Sequence, residues 1–235
     1  VELFCQAVDA VSHAHGQRVV HRDLKPSNLL VTEEGRVKLL DFGIAELLID
    51  GNGGAQTPES RVMTPQFAAP EQLDGHAATA ATDIYQLGLL LYQLLSGVLP
   101  YRLTAADTCV ESMRQRLDAM PTLAQAAAMA LPELAGHRGH DPRSLAQALS
   151  RDLGAIRAFC LQYEPERRYG SAAALAGDLR NWMSARPVSV QPATSRYRLG
   201  RFVAPNRFGV LTLSTLFVAM LVGAGSPLWH ARQAA

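Results

Sequence analysis

Apolar residues recur at helical spacing from the start of the chain. Leu3, Phe4, Ala7, Val8, Ala10, Val11 and Ala14 share one broad face, which predicts a helix over 2–15 stopped near Gly16. Residues 18–20 then read as a short strand, and the polar stretch 21–28, with Pro26 inside it, as a loop. Two apolar runs, 29–31 and 37–40, flank the turn Glu33-Glu34-Gly35 and predict a β-hairpin. Residues 44–70 mix glycine, proline and hydroxyl side chains and read as one long loop, a feature that is usually functional inside a compact domain. Helical period returns at 83–95, apolar enough to predict a buried helix ending near Ser96-Gly97. Alanine-rich helices are expected over 104–120 and 122–135, then a polar loop over 136–142. Two more helices follow, over 144–161 and 171–183, parted by a turn around Pro165. Nothing repeats at a fixed period, which argues against a solenoid.

The tail has a different character. No acidic residue follows Pro187, and Arg196, Arg198, Arg201 and Arg207 lead into a run, 208–229, with no charged side chain. About 20 such residues cross a bilayer, so the run predicts a transmembrane helix. Arginines crowd its N-terminal side, which places residues 1–207 in the cytoplasm. The competing reading is a buried core helix. Gly223, Gly225 and Pro227 weaken the far end of the run, but a soluble core rarely holds so long a charge-free stretch.

Composition adds limits rather than detail. The 235 residues are 48% hydrophobic and 18% charged, ordinary for a globular chain, and the net charge of +1 gives no reason to expect a nucleic-acid partner. Cys5, Cys109 and Cys160 lie far apart, form neither a disulfide framework nor a metal knuckle, and read as small buried residues in a reducing compartment. His13 with His15, and His137 with His140, have spacings that could bind metal, but no cysteine or carboxylate set completes either site. The first residues show no signal-peptide pattern, and a helix already under way at Val1 leads us to expect a piece of a longer protein.

The densest chemistry lies in His21-Arg22-Asp23-Leu24-Lys25-Pro26-Ser27-Asn28, followed by Asp41-Phe42-Gly43. Phosphoryl transfer needs a carboxylate to orient the attacking hydroxyl and accept its proton, and oxygen ligands to hold Mg²⁺ against nucleotide phosphates. Asp23 is a candidate base on a strand-supported loop. Asn28 and Asp41 are candidate hard-cation ligands, and Lys25 could neutralise charge developing on the transferred group.

These residues resemble the catalytic loop and Mg²⁺-binding motif of protein kinases. The resemblance extends to Thr64-Pro65-Gln66-Phe67-Ala68-Ala69-Pro70-Glu71-Gln72, similar to the end of a kinase activation segment in its bacterial Ser/Thr form. It includes Asp83-Ile84-Tyr85-Gln86-Leu87-Gly88 and Pro165-Glu166-Arg167-Arg168-Tyr169, and it covers about residues 1–200. It implies an α+β, protein-kinase-like fold: a mainly helical C-lobe with a small hairpin over 1–187, a basic juxtamembrane linker over 188–207, and one transmembrane helix over 208–229. It further implies that Arg168 pairs with Glu71 and that Asp83 braces the catalytic loop. Thr64 would contact Asp23 and Lys25 and imply Ser/Thr specificity. Arg22 would pair with a phosphate on the activation loop, with Thr57 and Ser60 as acceptors; solvated loop hydroxyls explain those two equally well.

The implied cofactors are ATP and Mg²⁺. The implied partners are Ser/Thr-bearing proteins and membrane lipid, with a homodimer admitted and nucleic acid not. The chain departs from the pattern at Met63, where glycine is usual. It departs more widely in having no glycine-rich phosphate loop, no Val-Ala-x-Lys strand and no partner glutamate from the helix that would follow it, so these residues alone are expected to be inactive. The alternative is a pseudokinase or membrane-tethered scaffold.

Overall fold

The computed structural model describes residues 1–42, 65–99, 151–203, 206, 208–217 and 219–220, with isolated positions between 115 and 149. Among these, the elements in chain order are α1 (Glu2–Gly16), β1 (Leu29–Val31), β2 (Val37–Leu39), α2 (Pro70–Leu73), α3 (Ala80–Ser96), α4 (Asp152–Cys160), α5 (Ala172–Met183) and α6 (Ser195–Val203). Short 3-10 turns sit at Pro26–Asn28, Pro65–Phe67 and Pro165–Arg167. The architecture is mainly helical with one small antiparallel hairpin.

The centre of the core is α3, where every residue over 82–92 is buried. A helix buried on all sides needs its ends secured by its own sequence. Thr79 caps the start, accepting from the Ala81 amide at 3.3 Å, while the Thr82 hydroxyl accepts from the Thr79 amide at 2.9 Å. Gly97, at φ 80°, ends the helix in the left-handed conformation that glycine adopts without strain. On one side α4 packs so closely that a Cβ on Gly88 would lie 2.6 Å from Cys160 Cβ and 2.9 Å from Leu161 Cδ2. Gly88→Ala is therefore expected to cost about 1–3 kcal/mol by overpacking, read as a lower urea midpoint; an unchanged midpoint would mean that the helices separate freely.

On another side lies α1, which also packs on α5 and β2. It buries Phe4, Cys5, Ala7, Val8, Val11 and Ala14, while Leu3, expected inward, is exposed because these neighbours cover a narrower stripe. Gln6 holds the hairpin to α1: its Nε2 donates to the Gly35 carbonyl at 3.1 Å and its Oε1 accepts from the Val37 amide at 3.0 Å. With Leu29 paired to Leu39 and Val31 to Val37, the turn end of the hairpin is anchored and its open end carries Asn28 and Asp41.

Two expectations need correction, and one stretch gains detail. Residues 18–20 form no strand; Arg18 takes φ 61° and the Val19 amide bonds back to the Ala14 carbonyl at 2.9 Å, so these residues close α1. The helix expected over 144–161 breaks at Arg151, at φ 74°, and α4 starts afresh at Asp152. Leu149, Leu153, Ile156 and Cys160 keep helical spacing through the break and are all buried, so periodicity does not register it. The basic stretch over 188–207 contains α6, which folds back on the lobe. Its Tyr197 hydroxyl accepts from the Val188 amide at 3.1 Å and donates to Asp152 at 3.0 Å, and Arg201 pairs with the same carboxylate, itself 1% exposed.

Residues 208–217 and 219–220 are helical, with Phe208 73% exposed and Leu211, Leu213, Leu216, Phe217 and Met220 exposed beside it. Among the described residues no helix is long and apolar enough to cross a membrane. The expected span ran to 229, and 221–229 lie outside the described residues. Most of 104–135 also lies outside them, as do His137, His140 and Cys109. Cys5 and Cys160 are buried free thiols, each pushed up from the ordinary thiol range by burial.

Candidate active site

The segment 21–28 crosses the core without being a strand, so its peptide groups need partners from elsewhere. Helix α3 provides them through two polar side chains set among apolar neighbours. Asp83, fully buried, accepts from the His21 and Arg22 amides at 2.8 Å each and from His15 Nε2 at 2.7 Å. Gln86 accepts from the Leu24 amide and donates to the Arg22 carbonyl, both at 2.8 Å. Between these contacts Arg22 adopts φ 71°, a conformation costly for a non-glycine residue and sustained only where the surroundings hold it.

Leu24, fully buried, anchors the loop, and the turn Pro26–Asn28 brings Asn28 back to Asp23. Asn28 Nδ2 donates to the Asp23 carbonyl at 2.8 Å and lies 3.4 Å from its carboxylate, while Lys25 Nζ lies 2.6 Å from Asp23 Oδ2. Asp41 is brought to the same end of the hairpin, because the Leu40 amide donates to the Asn28 carbonyl at 2.9 Å. Its backbone is left-handed, at φ 50°, and it is exposed. His21 ties the loop over 21–28 to the segment that follows β2. Its Nε2 donates to the Leu40 carbonyl at 2.9 Å, and its ring lies 4.8 Å from the Phe42 ring.

The donor set fits Mg²⁺, which prefers oxygen and takes one or two protein ligands alongside substrate phosphates. With its amide nitrogen turned onto Asp23, Asn28 presents Oδ1 as its acceptor face, and Asp41 adds an exposed carboxylate. Among the described residues no group of three or more His, Cys, Asp or Glu could hold a metal without such help.

Next to this site Glu71 and Arg168 form a buried strut. The guanidinium meets both carboxylate oxygens at 2.8 Å and donates its remaining N–H groups to the carbonyls of Ala81, Gln162 and Tyr163. It also sits 4.8 Å over the Tyr85 ring, and Thr82 Oγ1 donates to Glu71 at 2.8 Å. Burial alone would raise the Glu71 carboxyl; the hydrogen bonds and charge of Arg168, with help from the backbone and Thr82, outweigh it and hold the group below its ordinary range.

The structure thus brings Asp23, Lys25 and Asn28 into contact, sets Asp41 beside them, bonds Asp83 to the loop backbone at His21 and Arg22, and pairs Glu71 with Arg168. Met63, Thr57, Ser60 and Thr64 lie outside the described residues. Sequence reasoning missed His15, Gln72 and Gln86. An amide inside so apolar a stretch as 84–92 was the available signal, since buried polar groups almost always have partners.

Comparison with known proteins adds a family-level result. The profile of the protein kinase domain family matches residues 1–179. The serine/threonine-protein kinase PknB of Mycobacterium tuberculosis is 31% identical over 179 residues, which is 76% of this chain and 25% of that protein. A probable serine/threonine-protein kinase of Streptomyces coelicolor is 30% identical over 205 residues, 87% of this chain and 27% of that protein. The chain therefore spans about a quarter of the length of the curated relatives it matches. Among solved structures, the PknI kinase domain of Mycobacterium tuberculosis aligns with a TM-score of 0.49 and 20% identity, over 77% of this chain and 53% of that one.

Proposed function

We propose that this chain, which belongs to the protein kinase domain family, carries the catalytic and metal-binding half of an enzyme that transfers the γ-phosphoryl group of ATP to Ser or Thr hydroxyls of proteins. The observation that supports it most is the contact set joining Asp23, Lys25 and Asn28 at the end of the hairpin where Asp41 emerges. Asp23 orients the substrate hydroxyl and takes its proton as the oxygen attacks phosphorus; the bond to the bridging oxygen breaks and ADP leaves. Lys25, paired with Asp23 in this structure, meets the negative charge of the transferred group in this proposal. Asn28 and Asp41 would hold Mg²⁺, which when bound offsets charge on the phosphates.

These 235 residues contain no Gly-x-Gly-x-x-Gly phosphate loop and no Val-Ala-x-Lys strand, so in this proposal the rest of the nucleotide site comes from other residues of the complete protein. Thr57 and Ser60 serve as phosphoacceptors read by Arg22, and Thr64 helps select Ser/Thr substrates. The run over 208–229 is a single membrane span with the kinase on the cytoplasmic side, and a homodimer is compatible with this arrangement. Support for the span comes from the exposed apolar surface of 208–217 and 219–220. Thr212 and Thr215 there donate their hydroxyls to carbonyls of their own helix at 2.8 Å, which satisfies two of the hydroxyls a bilayer would otherwise leave without partners. Arg196 and Arg198 are exposed in the stretch before it, as cations facing anionic lipid would be.

The test is a fractionation of cells expressing the complete protein, followed by a transfer assay with labelled ATP. Mg²⁺-dependent labelling of serine and threonine should sediment with membranes, require detergent rather than salt for release, and vanish in Asp41→Ala. Undiminished labelling by Asp41→Ala would overturn the enzymatic reading, and activity in the soluble fraction would overturn the anchor.

A further inference from the structure

The two peptide groups that flank Asp23 are held by a single side chain. On one side the Arg22 carbonyl accepts from Gln86 Nε2, and on the other the Leu24 amide donates to Gln86 Oε1, each at 2.8 Å. A second amide reinforces this one. Gln72 Nε2 donates to the same Arg22 carbonyl at 2.9 Å, and its Oε1 accepts from Gln86 Nε2 at 3.0 Å and from the Ala69 amide at 3.0 Å. Backbone amides can only donate and carbonyls only accept, so these partners set the orientation of both side-chain amides. Gln86 is 2% exposed and Gln72 6%. Away from water such bonds are strong, and a buried amide is costly when its partners are removed.

Simple packing does not call for an amide at this position. The neighbours Ile84, Tyr85, Leu87, Leu89, Leu90 and Leu91 are all buried, and an apolar side chain of similar length would fill the same space. The bonds instead fix the peptide planes on both sides of the Asp23 Cα. They also reach Ala69, at the end of the segment that leads from residues 65–67 into α2. We propose that Gln86 and Gln72 are positioning residues that hold the backbone of Asp23 in its reactive orientation and couple it to the segment around Ala69 that leads into α2. This rests on the kinase reading above.

The experiment uses the complete protein and compares wild type with Gln86→Met, Gln72→Met, the double variant and Gln86→Glu. A misplacement near 1 Å costs about 100-fold in rate, so Gln86→Met should lose between roughly tenfold and 100-fold in kcat while the KM for ATP stays within about twofold. The double variant should lose little more than the single one, because both amides act on one carbonyl. Gln86→Glu provides a readout that packing alone would not move. Its carboxylate accepts from Leu24 but does not donate to Arg22 until protonated, so its activity relative to wild type should rise as pH falls.

Wild-type kcat in Gln86→Met, with a wild-type pH profile in Gln86→Glu, would overturn the clamp while leaving the kinase reading intact. Should Gln86→Met fail to fold, the Gln72→Met kcat and the Gln86→Glu profile decide the matter alone. An inactive wild type, or an Asp23→Ala protein as active as wild type, would instead overturn the kinase reading and the clamp with it.

Discussion

Replacing Asp23 with asparagine in the complete protein is expected to lower phosphoryl transfer by about 10²–10⁴-fold, the range associated with a positioned general base. The substitution keeps side-chain volume and leaves untouched the bond from Asn28 Nδ2 to the residue 23 carbonyl at 2.8 Å. Leu24 stays buried and the amide contacts to Arg22 and Leu24 remain, so the loop keeps its path. What disappears is the carboxylate that is proposed to accept the hydroxyl proton, and that meets Lys25 Nζ at 2.6 Å. Turnover should therefore collapse while nucleotide affinity and the melting transition stay close to wild type. Steady-state assays beside ATP titration and a thermal melt distinguish this from unfolding. Turnover within about threefold of wild type would remove Asp23 from the proposed role.

The largest structural loss is expected from Arg168→Met. It strands the Glu71 carboxylate in the core and removes donors from the carbonyls of Ala81, Gln162 and Tyr163. Breaking a buried pair by deleting one partner typically costs about 3–5 kcal/mol. Glu71→Gln should cost less, since an amide can still accept from the guanidinium, and adding it to Arg168→Met should recover part of the loss. The pH dependence follows in sign. The folded Glu71 carboxyl lies below its ordinary range, so the strut contributes fully above the pH at which an unfolded glutamate titrates. It fades as pH falls through the lower, folded value. Urea unfolding across that acid range should show a decline that is smaller in Glu71→Gln; parallel curves would rule the strut out as its source.

How much of this was legible depended on distance along the chain. Asp23, Lys25 and Asn28 lie within one contiguous loop, so their types and spacing alone suggested a shared chemistry. Glu71 and Arg168 are 97 positions apart, and only the resemblance connected them. Gln72 and Gln86 were passed over because each bonds to backbone, and backbone partners leave no mark on residue type. The helix break at Arg151 was hidden by apolar spacing that continues through it. The error over residues 18–20 arose because Val19-Val20 has the composition of a strand, whereas a strand exists only with a partner to pair with. Helix α6 lies in a stretch whose arginines carry the topology signal, and nothing local marks its docking; its place is decided by Asp152, 45 positions before Tyr197.

That last contact limits where a kinase built on this lobe, as proposed, could work. With α6 held to the lobe through Asp152, the stretch between Val203 and Phe208 can extend no more than about 18 Å, at roughly 3.6 Å per residue. If the apolar run beyond it is in a bilayer, the catalytic loop is confined to a thin shell above the membrane surface. A substrate in the same membrane would then meet it at a high effective concentration, while one diffusing in bulk would gain nothing from the tether. Releasing α6 would widen that shell and alter which hydroxyls fall within reach, without any change in the catalytic residues themselves.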